Sequence, residues 1–270
     1  MKILLSINDL IKAIVGINNL GFVPTMGSIH DGHKSLINKS KRRCKKTIVS
    51  IYVNPKQFNK KKDFESYPRN LKKDLKILKE KKVDYVFIPQ TIEIYKKKRL
   101  KKIILKRSQK ILCAKFRKGH FEGVLDIMDR LLDLIKPKYV FMGKKDFQQL
   151  YLIEKFFAKK YNCKFIKCKT IRNKNYLALS SRNNLLSKKN YSKAENVSKY
   201  LFNLNKNLKN SKTLNHLLLS KKNYLENKYK VKVEYLEQRN ESNLKISKKN
   251  LKKRLFISYY INKIRLIDNF

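Results

Sequence analysis

The sequence predicts an α/β protein: a doubly wound parallel sheet followed by a smaller α+β domain. Over roughly the first 170 residues, short β-rich runs alternate with helical stretches. One of those runs, TIVSIYV (47–53), is β-branched and nearly all apolar, as a strand buried on both faces should be. Beyond about residue 172 the order changes to two helical segments and then three strands. Strand–helix alternation implies a parallel sheet with helices on both faces, and the later change of order implies a second domain. The division is expected at 1–171 and 172–270.

Taken in order, the opening MKILLSINDLIKAIVGI has one early lysine, and its apolar run is broken by Asn8, Asp9 and Lys12. It reads as a first strand or helix rather than a signal peptide. GFVPT (21–25) is a strand, HKSLINKSKRR (33–43) a helix, and TIVSIYV the next strand. RNLKKDLKILKEKK (69–82) carries Leu71, Leu75 and Leu78 at helical spacing, and DYVFIP (84–89) is a strand stopped by proline. FEGVLDIMDRLLDLIK (121–136) is a strongly amphipathic helix ending before Pro137. YVFMG (139–143), DFQQLYLIEKFFAKK (146–160) and CKFIKC (163–168) complete the alternation as strand, helix and strand. Helical segments near 188–209 and 213–229 then precede the strands VKVEYLEQ (231–238), LFISYYI (255–261) and IRLID (264–268).

Composition narrows the function classes. Of 270 residues, 42% are apolar, enough to bury a core and too many for a disordered polycation. No apolar run reaches the ~18 residues that a transmembrane helix needs. The cysteines, Cys44, Cys113, Cys163 and Cys168, form no C-x-x-C pair and no zinc-spaced cluster, and read as reduced thiols of a cytoplasmic protein. The net charge of +47 would attract nucleic acid or anionic lipid, but the lysines run from end to end without an aromatic-interleaved stripe. Lys, Asn, Ile and Tyr, all abundant here, share A/T-rich codons, so compositional bias explains the charge better than a nucleic-acid role does.

Five residue groups carry possible chemistry. PTMGSIHDGH (24–33) follows the first clear strand and opens a helix. Gly27 permits a tight backbone there, and the helix start after Gly32 offers free N–H groups and a positive dipole end to phosphate. His30 and His33 can donate to phosphate oxygens and stabilise charge that builds in a transition state. VNPKQF (53–58) puts carboxamides at a strand end, able to hold a hydroxyl or carboxylate without adding charge, although Asn54-Pro55 also reads as simple turn chemistry. FRKGHFEGV (116–124) places Arg117 and His120 at a helix start, and MGKKDFQQL (142–150) packs Gly, Lys, Asp and paired Gln between a strand and a helix. In LALSSRN (177–183), two hydroxyls precede an arginine, a set that suits phosphate. Four of the five lie at or near a strand-to-helix turn, where open parallel sheets bind ligands.

These segments, with YPRNLKKDLKIL (67–78) and the terminal IRLIDNF, occur in the order of the signatures of the pantoate–β-alanine ligase family, and the chain resembles that family over nearly its whole length. The resemblance implies a Rossmann-like catalytic domain (1–171) binding ATP and pantoate and a C-terminal lid domain (172–270). The family is part of the nucleotidyltransferase superfamily marked by H-x-G-H. The implied reaction is ATP-dependent: the pantoate carboxylate attacks the α-phosphorus to give pantoyl adenylate and pyrophosphate, and the β-alanine amine then displaces AMP. No protein nucleophile is needed, so catalysis rests on positioning and electrostatics.

By motif position, Met26, Gly27, Ser28, Ile29, His30, Asp31, Gly32 and His33 would line the ATP site. His33 matches the family's proton donor and is better described as a phosphate ligand that stabilises transition-state charge. Gln57 and Gln149 would grip pantoate, and Gln57 would also touch β-alanine. Gly143, Lys144, Lys145 and Asp146 would hold the nucleotide, with Lys145 at the phosphates and Asp146 near the ribose. Ile171 would meet adenine through its backbone, and Leu179, Ser180, Ser181 and Arg182 would form a flexible phosphate-binding segment. Magnesium is expected on the phosphates, with no dedicated protein ligands, and a homodimer in the cytoplasm is expected, with no specific nucleic acid and no membrane.

Four positions depart from the family pattern: Lys118 replaces a proline, Asn175-Tyr176 replaces Asp-Gly, and Lys73 replaces an acid, leaving Asp74. Loss of the glycine at 176 is expected to stiffen a turn or alter its φ. Two alternatives stand beside this reading: another H-x-G-H nucleotidyltransferase, which need not have Gln57 and Gln149, and a basic nucleic-acid-binding protein, which would not need the histidines.

Overall fold

The computed structural model describes residues 1–98, 102–208, 214–246 and 252–270. These divide into two compact units, Met1–Lys144 with Gln149–Lys169, and Lys145–Gln148 with Thr170–Phe270. Ile171 and the turn residues Lys145 and Asp146 therefore lie in the second unit.

The first unit is built on a parallel sheet of β1 (Lys2–Leu4), β2 (Leu20–Thr25), β3 (Lys46–Ile51), β4 (Tyr85–Phe87), β5 (Tyr139–Gly143) and β6 (Lys164–Cys168). The strand order is β1-β4-β3-β2-β5-β6. The chain winds outward from β2 through β3 and β4, then crosses to the other side of β2 for β5 and β6. This makes β2 the point where the direction of winding reverses, and right-handed crossovers then put the connecting helices on opposite faces. The opening segment supplies both expected alternatives, β1 and then α1 (Ile7–Ile14). Helix α1 begins because Ser6 accepts from the Asp9 N–H at 3.0 Å while Asp9 accepts from the Ser6 N–H at 3.1 Å, a reciprocal cap.

The connecting helices are α2 (Asp31–Arg43), α3 (Lys61–Glu65), α4 (Leu71–Glu80), α5 (Thr91–Lys96), α6 (Cys113–Phe116), α7 (His120–Ile135) and α8 (Phe147–Phe157). Periodicity marks α2, α4, α7 and α8 but not α3, α5 and α6, which are five, six and four residues long and too short to show an amphipathic repeat. Val23, Ile37, Val49, Leu78, Val86 and Phe141 form a fully or almost fully buried core on this sheet. Each such side chain contributes about 1.5–3 kcal/mol on burial.

The second unit contains α9 (Lys188–Asn207), α10 (Leu214–Tyr229) and an antiparallel sheet of β7 (Lys232–Asn240), β8 (Lys253–Ile261) and β9 (Ile264–Asn269), in the order β7-β8-β9. Residues 209 and 213, the ends of the helical segments read from the sequence, lie outside the described residues. Its core joins Ala194, Val197 and Leu201 of α9 to Leu225 of α10 and Leu255 and Ile257 of β8. Among the described residues no helix is long and apolar enough to cross a membrane.

Candidate active site

The carboxyl end of β2 runs through Met26–Ile29 into α2, at the point where the winding reverses. Gly27 and Ser28 both take left-handed φ values, 78° and 50°. The loop is held from outside by Asp74 of α4, only 2% exposed. Its carboxylate accepts from the Ser28 N–H at 2.8 Å and the Ile29 N–H at 2.7 Å, one oxygen for each. A Cβ on Gly27 would stand 2.9 Å from the Asp74 Oδ2, so the left-handed φ and the close approach require glycine together.

His30 is the N-cap of α2. Its Nδ1 accepts from the Gly32 N–H at 3.1 Å, and the His33 Nδ1 accepts from the His30 N–H at 3.4 Å. The two half-buried rings lie 4.0 Å apart at 34°. With Nδ1 accepting in both rings, the ring proton available to a ligand is the one on Nε2. The spacing has a steric reason: a Cβ at residue 32 would meet the His30 ring at 2.7–2.8 Å, so the ring folds over the helix start only beside glycine. Gly32→Ala is expected to displace the His30 ring and lower turnover about tenfold, with little change in melting temperature, as measured by steady-state assay and thermal unfolding. Asp31 is exposed and pairs with Lys34 at 2.8 Å.

Beyond β3, Asn54 caps a short 3-10 turn, Pro55–Gln57. Gln57 is buried, and its amide donates to the Met26 sulfur at 2.8 Å, which joins this turn to the histidine loop. Asn54 donates to the Gly123 carbonyl at 3.0 Å and accepts from the Tyr95 hydroxyl at 2.8 Å. Burial pushes the Tyr95 phenol up, so it stays protonated and donates. His120 Nδ1 lies 2.7 Å from the Gln57 carbonyl and its Nε2 lies 2.8 Å from Arg117, whose guanidinium reaches Asp63 at 3.8 Å. The FRKGHF segment thus braces the backbone of Gln57. It follows α6 rather than a strand. Lys118 is exposed, and its carbonyl accepts from the Asn59 amide.

Gly143 ends β5, the strand paired to β2, and Lys144 follows it in the turn to α8. Gln149 is half-buried in α8. The cysteines are Cys44, Cys113, Cys163 and Cys168. All four are free thiols, and burial pushes up those of Cys44, Cys163 and Cys168, which keeps them protonated and poorly nucleophilic.

The other expected site residues are in the second unit. Lys145 and Asp146 share a small cavity with Ser180, Arg182, Arg265 and Asp268. The Lys145 ammonium lies 3.4 Å from Asp146, whose side chain is half exposed. Ile171 accepts at its carbonyl from the Leu179 N–H at 3.0 Å, and Ser180 caps the turn Ser181–Leu185 by accepting from the Arg182 N–H at 3.3 Å. Tyr176 adopts the left-handed φ of 66° itself. Such a φ costs about 1–2 kcal/mol for a non-glycine residue. Two contacts offset it: its ring stacks on Phe202 at 3.9 Å, and its carbonyl accepts from Arg172 at 2.7 Å.

The fold and the loop after β2 define a class: an α/β protein that presents a glycine-spaced histidine pair on a helix start at the switch point of a parallel sheet, where such folds hold nucleotide phosphate. The pantoate-beta-alanine ligase family model matches residues 3–270. A pantothenate synthetase of Endomicrobium trichonymphae is 40% identical over 254 residues, covering 93% of this chain and 89% of that protein. One from Pseudothermotoga lettingae is 37% identical over 254 residues, covering 93% and 90%. The crystal structure of pantothenate synthetase from Thermus thermophilus superposes with a TM-score of 0.88 at 27% identity, covering 100% of this chain and 99% of that one. The pantoate-beta-alanine ligase of Francisella tularensis, complexed with beta-gamma ATP and β-alanine, superposes with a TM-score of 0.85 at 35% identity, covering 100% and 97%. The chain belongs to the pantoate–β-alanine ligase family.

Proposed function

We propose that this chain condenses (R)-pantoate with β-alanine to pantothenate at the expense of ATP, through pantoyl adenylate. One observation carries the reading: the His30–Gly32–His33 helix start, joined through Met26 to the Gln57 amide, at the switch point of the sheet. A carboxylate oxygen of pantoate attacks the α-phosphorus, and the bond to the β-phosphate breaks to release pyrophosphate. The β-alanine amine then attacks the acyl carbonyl, loses its proton, and AMP leaves. His30 and His33 hold phosphate oxygens through Nε2–H and stabilise the charge that develops on them, with Met26–His33 lining the ATP site.

Gln57 and Gln149 hold pantoate, and Gln57 also meets β-alanine. A thioether is a weak acceptor, so a substrate oxygen replaces Met26 on the Gln57 amide with a stronger bond. Gly143–Asp146 and Leu179–Arg182 take the nucleotide, with Ile171 at adenine. Magnesium is a hard cation that takes oxygen ligands. Here it would bind with the ATP phosphates, which supply such oxygens. Cytoplasmic location and a homodimer complete the reading; the free thiols suit a reducing compartment.

Incubation with ATP, pantoate and β-alanine is expected to yield AMP, pyrophosphate and pantothenate in equal amounts. ADP and phosphate as products would refute the reading. Gln57→Ala is expected to raise the pantoate KM about tenfold or more while leaving the ATP KM within about twofold. An unchanged pantoate KM would remove Gln57 from the site.

A further inference from the structure

The last strand, β9, ends in the buried pair Asp268-Asn269, which the proposed reaction does not use. Asn269 is 2% exposed. Its amide donates to the Lys145 carbonyl at 2.7 Å, and its Oδ1 accepts from Arg254 at 2.7 Å. The Arg254 guanidinium lies over the Phe147 ring, 4.8 Å from its centroid. The side chain and its partner thus grip the backbone just before Asp146 and the ring just after it. Because a peptide is planar, holding the Lys145 carbonyl also sets the direction of the Asp146 N–H. Asp268 receives the Arg172 guanidinium at 2.7 and 2.9 Å, and Arg172 also donates to the Asn269 and Tyr176 carbonyls at 2.8 and 2.7 Å. Two neighbouring residues at the chain's end therefore fix both the Lys145–Asp146 turn and the segment that leads to Ser180–Arg182.

We infer that Asn269 is a positioning residue for ATP use, acting through the Lys145 carbonyl to hold the Lys145–Asp146 turn in the conformation that receives phosphate and ribose. The inference rests on the nucleotide role proposed above for Lys145. A residue that served stability alone would change melting temperature without separating the KM values of the substrates.

Asn269→Asp is nearly isosteric. It keeps the acceptor for Arg254 but sets an oxygen against the Lys145 carbonyl. In the full chain it is expected to raise the ATP KM about tenfold with the pantoate KM within about twofold. Amide hydrogen exchange in residues 144–148 is expected to quicken about tenfold, with β7 and β8 unchanged. Asn269→Ala, which removes the bond without the repulsion, is expected to show the same split. Lys145→Ala separates the two levels of the argument. A wild-type ATP KM in Lys145→Ala removes the nucleotide role of Lys145 and the inference with it. Wild-type ATP KM and exchange in folded Asn269 variants, beside an impaired Lys145→Ala, overturn the inference alone. Loss of cooperative unfolding in both Asn269 variants assigns the residue to stability and overturns it as well.

Discussion

His33→Ala is expected to lose pantoate-dependent ATP–pyrophosphate exchange by about 10³-fold and to keep its fold. The separation follows from where the ring sits. His33 is half-buried, so its removal leaves no large core cavity, and alanine suits the first turn of a helix. Its Nδ1 accepts from the His30 N–H at a long 3.4 Å, a bond whose loss costs about 1 kcal/mol. What is lost instead is a fixed Nε2–H donor beside the helix start, whose worth appears only when negative charge builds on phosphate. Exchange at the wild-type rate would dismiss the histidine from the chemistry; loss of the near-native melting temperature would mean that the ring is part of the core.

Asp74→Ala is expected to damage both stability and activity. Asp74 sits in a lysine-rich helix, is 2% exposed, and satisfies two successive amides at 2.7–2.8 Å. Removing it orphans the N–H groups of Ser28 and Ile29, which costs about 2–4 kcal/mol together. For a domain of this size, a melting temperature lower by about 4–12 °C is the thermal equivalent. The same loop leads directly into His30, so turnover is expected to fall about 100-fold in addition. Asp74→Asn keeps the shape but turns one donor against one amide, and its effects should lie between wild type and Asp74→Ala. Calorimetry and exchange assays on the same samples check this; an unaltered melting temperature in Asp74→Ala would show that the two bonds are not what holds the loop.

Five of the six strands were legible because β-rich runs are bounded by turn residues, while β1 stayed open between strand and helix; the helices were legible because Leu71, Leu75 and Leu78 or the long α7 pattern fit only a helical repeat. The histidine loop was legible because the motif is local: N-cap, glycine and second histidine fall within four residues. Asp74 was singled out without a role, although the signal was present. It lies three residues after Leu71 and four before Leu78, on the apolar stripe, where a lone acid must find partners when buried. Asn269 was not legible. Its partner is 124 positions away in sequence, and no periodicity connects a chain end to a turn after a distant strand. At Tyr176 a stiffened turn or a changed φ was expected; the residue takes a left-handed φ of 66°, and what holds it there was not legible. The stack on Phe202 and the bond from Arg172 depend on tertiary neighbours that spacing does not reveal.

The central claim is that pantoate becomes reactive by taking AMP from ATP. Pantoate labelled with oxygen-18 in its carboxylate tests this most directly, in a complete reaction with unlabelled ATP and β-alanine. The account predicts one labelled oxygen in AMP and one in pantothenate, because the attacking carboxylate oxygen stays on the α-phosphorus when the amine displaces AMP. Label in inorganic phosphate, or AMP free of label beside labelled pantothenate, would contradict it.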